Sequence, residues 1–194
     1  VDAPAHAEAG RQWAERGYLA LVLHVRGAGV LAPSKGASGY SSDYQLAARA
    51  WLLGTSIVAW QARDLLTGLA FLESELPGED IERAIATSGP TGPAGVFAAA
   101  LRPLNTAVIA GTIVSYLDVA ATQRYMLPAR IFVPGVLEIT DLPEVMALAA
   151  PASIRLVRPM SADGRVLDAA EAASRMPGGM PANVTVVQAE PSAP

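Results

Sequence analysis

The sequence predicts an α/β domain in which a mostly parallel sheet lies between two layers of helices, a three-layer α/β/α arrangement. Short apolar runs of strand length alternate with longer segments whose apolar residues recur at helical spacing, a pattern typical of strands joined by crossover helices. The run at 18–25 is apolar almost throughout, as in strands that are buried on both faces. The chain has 194 residues, of which 52% are hydrophobic, enough for one core. We therefore expect a single domain over residues 1–190, followed by a tail at 191–194.

The first half of the chain predicts one strand between two helical segments. Residues 7–16 have helical spacing and end at a glycine, and the strand at 18–25 follows. A loop rich in Gly, Ser and Pro then extends to about Ser42, and loops of that length often border a site. From Asp43, the predicted N-cap, helical spacing continues to Glu75, with a bend or a division at Gly54.

The second half of the chain predicts four further strands with helices between them. Each strand is a short apolar run, and prolines, glycines or a change of pattern separate it from its neighbours. The predicted strands are 83–87, 106–113, 154–157 and 184–187. Three helices are predicted: one follows the glycine-rich turn and ends at Leu101, and the others span 142–149 and 167–175.

Composition excludes several classes of partner. The net charge is -4 and Lys35 is the only lysine, so a nucleic-acid backbone finds no basic patch. The apolar runs fall well short of the roughly 20 residues that a membrane-spanning helix needs. The chain has no cysteine, and its two histidines, His6 and His24, have no ligand spacing. We expect no binding to nucleic acid, membranes or metal ions.

The start of the chain predicts that it is a piece of a longer protein. It begins at Val1 without a methionine and without a charged and then apolar leader pattern. We therefore expect other domains of a parent chain among its partners. The sequence does not indicate the cellular compartment.

A glycine-rich turn follows the second predicted strand. Gly89, Gly92 and Gly95 are spaced three residues apart before a predicted helix. Amides at a helix N-terminus can hold a phosphate. The spacing is not that of a dinucleotide fingerprint, however, and Pro90 and Pro93 remove two amides that a phosphate would need. We therefore expect no nucleotide and no other cofactor.

Several short motifs occur in a fixed order along most of the chain. They are 15–18 (ERGY) with 26–29 (RGAG), 48–54 (ARAWLLG), Asp64 with 69–73 (LAFLE), 92–96 (GPAGV), and 133–137 (VPGVL) with 141–143 (DLP). This order resembles the C-terminal two-thirds of the α/β-hydrolase fold, in the branch that includes acetylxylan esterases and dienelactone-hydrolase-like proteins. In this family the first strands, which carry the oxyanion-hole amides, precede the helix that opens this chain. The resemblance therefore implies a partial α/β-hydrolase fold that lacks those strands.

The resemblance also implies where a catalytic triad would lie. The family's nucleophile elbow is Gly-x-Ser-x-Gly, and its triad follows the chain order Ser, Asp or Glu, His. If Gly95 ends the elbow, the nucleophile position falls at Gly92 or Pro93, and neither can attack a carbonyl. The acid position has a candidate in Asp163, although Asp-Gly is also an ordinary turn pair. No histidine follows Val187.

Ser88 is the alternative nucleophile. It would occupy the elbow if the register moved by four residues, but the residues around it lack the Gly-x-Ser-x-Gly frame, which favours a turn serine. Thr91 is expected to bond to the backbone. His24 is expected in the core or at a strand end, and His6 in solvent, so neither is expected to act as the base.

Asp43, Tyr44 and Trp51 could line a pocket at the carboxyl edge of the sheet, where ligands bind in open α/β folds. The alternative is an N-cap and a buried helix face. Together these observations predict a domain related to carboxylic-ester hydrolases of the acetylxylan type, with a small ester or carbohydrate ligand and a degenerate catalytic site. The alternatives are an active esterase that uses Ser88, and a nonenzymatic binding module of a larger protein.

Overall fold

Four parallel strands form a single sheet in chain order. The computed structural model describes residues 3–33, 41–76 and 81–188. The strands are β1 (Ala84–Ser88), β2 (Thr106–Ala110), β3 (Ser153–Val157) and β4 (Val184–Val187), and each pairs with the next. Ser88 lies opposite Ala110, and Ala110 lies opposite Val157. The carboxyl ends of β1, β2 and β3 therefore meet at one level, which we call the rim.

Helices connect and flank the strands. Most of them begin at a side chain that accepts a hydrogen bond from the first turn: Ser41, Ser56, Ser115, Asp141 and Asp168. The helices are α1 (Ala3–Ala14), α2 (Ser42–Leu52), α3 (Ile57–Glu75), α4 (Gly92–Leu101), α5 (Tyr116–Ala121), α6 (Leu142–Leu148) and α7 (Ala169–Ser174). The predicted α/β class, a parallel sheet flanked by helices, is confirmed. No helix in the described ranges is long and apolar enough to cross a bilayer.

The main core lies between α4 and one face of the sheet. Alternate residues of the strands point to this face, and they include Ile85, Ile109, Ile154 and Leu156, which are all buried. Helix α4 packs on β1 and β2, while α3 and α6 pack against α4. Because α4 has neighbours on several sides, it is apolar nearly all round. It is the central helix of the domain.

The predicted strand at 18–25 is wrong. These residues are not hydrogen-bonded into the sheet, and the exposed fractions of Leu19 and Leu21 are 53% and 40%. They lie against α3 instead, where Gly68 leaves room for the side chains of Leu21 and Leu23. An apolar run becomes a strand only when another strand pairs with it, and β1 does not provide that pairing.

The other predicted elements are present with modest changes at their ends. The long helical segment is divided at Gly54, whose φ of 69° ends one helix before the next begins. The predicted N-cap Asp43 is wrong, because Ser41 accepts the hydrogen bond from Tyr44 N at 3.2 Å. Asp43 lies inside the first turn and pairs with Arg130. Strand β2 ends at Ala110, earlier than predicted, because Gly111 turns the chain with a φ of 56°.

Candidate functional site

Three residues in the left-handed backbone conformation lie at the rim. Gly89, Gly111 and Arg158 directly follow β1, β2 and β3, with φ values of 56°, 56° and 47°. The amide of Gly111 donates to Val157 O and the amide of Arg158 donates to Val187 O, both at 2.8 Å. The sheet ladder thus continues one residue past β2 and β3 before the chain turns away.

A cleft of about 220 Å³ opens at the rim. It lies at the carboxyl ends of parallel strands, where open α/β sheets bind ligands. Its walls are mostly apolar, and a serine and an arginine are the polar residues among them. The lining residues are Ser88, Gly89, Ala110, Gly111, Val157, Arg158, Met160 and Val166.

Gly89 occupies the sharp turn between β1 and α4. A short 3-10 turn, Gly89–Thr91, follows it, and Gly92 is already helical with φ -53° and ψ -50°. A nucleophile elbow carries its nucleophile at the sharp turn between strand and helix. The position that corresponds in geometry is therefore Gly89, not Gly92 or Pro93, which lie buried in the first turn of α4. Gly89 has no side chain that could attack a carbonyl.

Gly92 and Gly95 serve the packing of α4 and not the turn. A Cβ on Gly92 would lie 2.3 Å from Thr112 Cβ, and one on Gly95 would lie 2.4 Å from Thr87 Oγ1. A real Cβ cannot approach so closely, so both positions require glycine for contact between α4 and the sheet. At Gly89, by contrast, a Cβ would meet nothing within 4 Å.

Ser88 is the last residue of β1 and is exposed in the cleft. Its carbonyl oxygen accepts a hydrogen bond of 2.7 Å from the Thr91 hydroxyl, which confirms that Thr91 bonds to the backbone. Within the described ranges, no histidine lines the cleft beside Ser88. His24 lies in a separate groove against α3, beside Leu23 and Thr67. The side chain of His6 lies outside the described residues.

Asp163 lies in a turn on the loop after β3 and does not line the cleft. The Ser161 hydroxyl donates to its carboxylate and holds the pKa of Asp163 below its usual value. Backbone bonds close the same turn, from Ser161 N to Arg165 O at 2.8 Å and from Gly164 N to Ser161 O at 3.0 Å. The carboxylate is thus engaged within its own loop.

Asp43, Tyr44 and Trp51 all lie on α2, and none of them lines the cleft. Asp43 accepts from Arg130 N at 3.2 Å and pairs with the Arg130 guanidinium. The rings of Tyr44 and Trp51 meet edge to face, with centroids 6.2 Å apart. The turn that carries Arg130 also contacts the Gly89–Thr91 turn, so the Asp43–Arg130 pair connects α2 to a turn that packs beside the β1–α4 junction.

Sequence reasoning missed Arg158. It is the one non-glycine residue with positive φ in the described part of the chain, and such a conformation stores roughly 1–3 kcal/mol of strain, often at functional sites. The signal in the sequence is weak: a charged residue between an apolar strand and Pro159. Nothing in that pattern indicates a left-handed residue.

The described residues contain no group of three or more His, Asp or Glu side chains that could hold a metal ion. The polar residues that line the cleft are Ser88 and Arg158, beside backbone groups. These groups can bind and orient a small polar molecule. They do not provide a nucleophile paired with a base.

Comparisons with known proteins bear on the fold. No protein-family model matches the sequence, and no curated protein matches it. The structure is similar to the crystal structure of a putative acetyl xylan esterase from Bacteroides fragilis, with a TM-score of 0.64 and 14% sequence identity. The match covers 93% of this chain and 49% of that one. The chain has an α/β-hydrolase-like fold.

At 14% identity, this similarity shows the fold alone. The chain spans about half the length of the structure that it matches.

Proposed function

We propose that this chain is a catalytically degenerate hydrolase-like domain, related to carboxylic-ester hydrolases, that binds a small ester or carbohydrate ligand in the rim cleft. The observation that carries the proposal is Gly89. It occupies the sharp turn at which an elbow presents its nucleophile, and it contributes no reactive atom.

The surroundings of Gly89 support the same proposal. A serine hydroxyl is a weak nucleophile until a positioned base removes its proton. No imidazole lines the described cleft, and Asp163 is bonded to Ser161 in its own loop. In serine hydrolases, loss of the triad leaves only about 10³–10⁴-fold acceleration over water, from the oxyanion hole and binding. We take that residual as an upper limit and expect turnover close to the uncatalysed background.

Ser88 supports a second candidate, an active esterase with a displaced nucleophile. Its side chain is exposed and lines the cleft directly beside Gly89. The test is to measure hydrolysis of an activated acetyl ester and labelling by a fluorophosphonate probe, in the wild type and in Ser88→Ala. The matched control is Ser153→Ala, an exposed serine at the opposite end of the sheet.

The expected result is background hydrolysis and no labelling in all three proteins. Hydrolysis or labelling that Ser88→Ala abolishes and Ser153→Ala preserves would establish the esterase instead. Saturable binding of a small ester or carbohydrate without turnover would support the proposal, and it is also the result expected of a nonenzymatic binding module of a larger protein.

We also propose that further strands of the same protein complete the sheet beside β1. Among the described residues, strand β1 pairs with β2 alone, and an unpaired edge is a site for strand addition. The extended segment 18–25 exposes apolar side chains. The matched structure is about twice as long as this chain, which is enough for additional strands.

A further inference from the structure

We infer that the rim cleft is a carboxylate-binding site, in which the guanidinium of Arg158 binds the anionic group of a small organic acid. The inference rests on the proposed function in one respect, because it uses the same cleft. It differs in the chemistry of the ligand, which would be a free acid and not a neutral ester.

The backbone of Arg158 is held in place from both sides. Its amide donates to Val187 O at 2.8 Å, and Pro159 follows it with a fixed φ. The neighbouring strands use glycine at the same level of the rim, Gly89 and Gly111. After β3 this position is Arg158, although glycine would adopt the same backbone conformation without strain. The protein therefore carries a side chain at a position where the backbone conformation favours glycine.

The guanidinium of Arg158 has no carboxylate partner among the described residues. The acidic groups of the loop after β3 and of the next helix are engaged elsewhere. Asp163 accepts from Ser161, Asp168 accepts from Glu171 N at 2.8 Å, and Glu171 pairs with Arg165. Among the described residues, none of these carboxylates forms an ion pair with Arg158.

The other walls of the cleft fit a small organic anion. Val157, Met160 and Val166 are apolar, and Ser88 adds a hydroxyl that can donate a hydrogen bond. Arginine binds a carboxylate through two parallel N–H···O bonds, and apolar walls strengthen such bonds by excluding water. A volume of about 220 Å³ holds about seven water-sized groups, which suits a short-chain acid.

The test is calorimetric titration of the whole protein with acetate and propionate, with their neutral amides, and with inorganic phosphate. The variants are Arg158→Met, which removes the charge, and Arg158→Gly, which removes the charge and also relieves the backbone strain. The control is Arg124→Met, which changes the net charge equally at an exposed arginine outside the cleft.

We expect the wild type and Arg124→Met to bind the carboxylates, and both Arg158 variants to bind them at least about tenfold more weakly. The neutral amides should bind much more weakly than the acids. Equal binding of acid and amide, unchanged affinity in Arg158→Gly, preference for phosphate, or no carboxylate binding would each overturn the assignment.

This outcome is separable from the proposed function. Ester turnover that depends on Ser88 would overturn the degenerate-site proposal and leave carboxylate binding by Arg158 standing. Binding of neutral esters or sugars without any binding of acids would overturn carboxylate binding by Arg158 and leave the degenerate-site proposal standing.

Discussion

Gly95 and Gly89 differ in what a methyl group would meet. A Cβ on Gly95 would come within 2.9 Å of Ile109 Cδ1 and closer still to Thr87, whereas Gly89 is open. We expect Gly95→Ala to lower the free energy of unfolding by about 1–3 kcal/mol through overpacking. Gly89→Ala adds only the strain of a left-handed residue, about 1–2 kcal/mol. Urea denaturation of the two variants measures both values.

A larger loss in Gly89→Ala than in Gly95→Ala would contradict this division of roles. The comparison also matters for function. A side chain at Gly89 has room in the cleft, so the lack of a nucleophile there is not forced by crowding.

At the scale of secondary-structure elements, Asp141 joins the starts of α5 and α6. The exposed fraction of Asp141 is 5%, and its carboxylate accepts from Tyr116 N at 2.6 Å, Leu142 N at 2.7 Å and the Ser115 hydroxyl. We expect Asp141→Ala to lower the free energy of unfolding by about 3 kcal/mol, because it leaves several buried donors without an acceptor.

The matched control for this prediction is Asp168→Ala, which removes an exposed capping carboxylate from α7 alone. Loss of one such cap lowers stability by about 1 kcal/mol. Thermal or urea unfolding measures the loss of stability in both variants. Equal losses would show that Asp141 acts only as a helix cap.

Glu73 links α3 to the segments that flank β1 and α4. It accepts from Arg83 Nε at 2.7 Å and pairs with Arg102. The hydrogen bond from Arg83, with the charges of both arginines, lowers the pKa of Glu73 from its ordinary value of 4.5. A lowered folded-state pKa gives stability that is present above 4.5 and is lost as the pH falls through the folded-state pKa.

We therefore expect Glu73→Gln to reduce the urea midpoint at neutral pH, with a difference from the wild type that shrinks steadily below pH 4.5. Glu75→Gln is the control, because Glu75 is exposed on the same helix and forms no ion pair within the described ranges. A difference that stays constant down to low pH would assign the effect of Glu73 to packing.

The elements were more predictable than the roles of single residues. Strands β1 to β4 appear as apolar runs because buried parallel strands must be apolar. The run at 18–25 has the same composition, but a strand also needs a partner, and pairing depends on distant residues that local pattern does not reveal. Gly89, Gly92 and Gly95 were all visible in the turn. The sequence does not tell which glycine permits a positive φ and which permits close packing.

At the scale of the whole molecule, the sheet formed by the described residues has an open edge at β1. Its residues alternate between a buried side chain at Ile85 and exposed ones at Ala84, Ala86 and Ser88. An edge strand exposes one row of backbone donors and acceptors to water. If further strands of the same protein complete the sheet, β1 becomes an interior strand and the exposed leucines of segment 18–25 gain cover.

Amide hydrogen exchange tests this completion. In the present chain, the β1 amides that point away from β2 should exchange quickly, because they have no acceptor in the sheet. In a longer chain that includes the additional strands, exchange at β1 should slow by at least about tenfold, while exchange at the interior strand β3 changes little. Equal protection of β1 in both chains would mean that the added residues fold elsewhere, and that the four-stranded sheet is the complete unit.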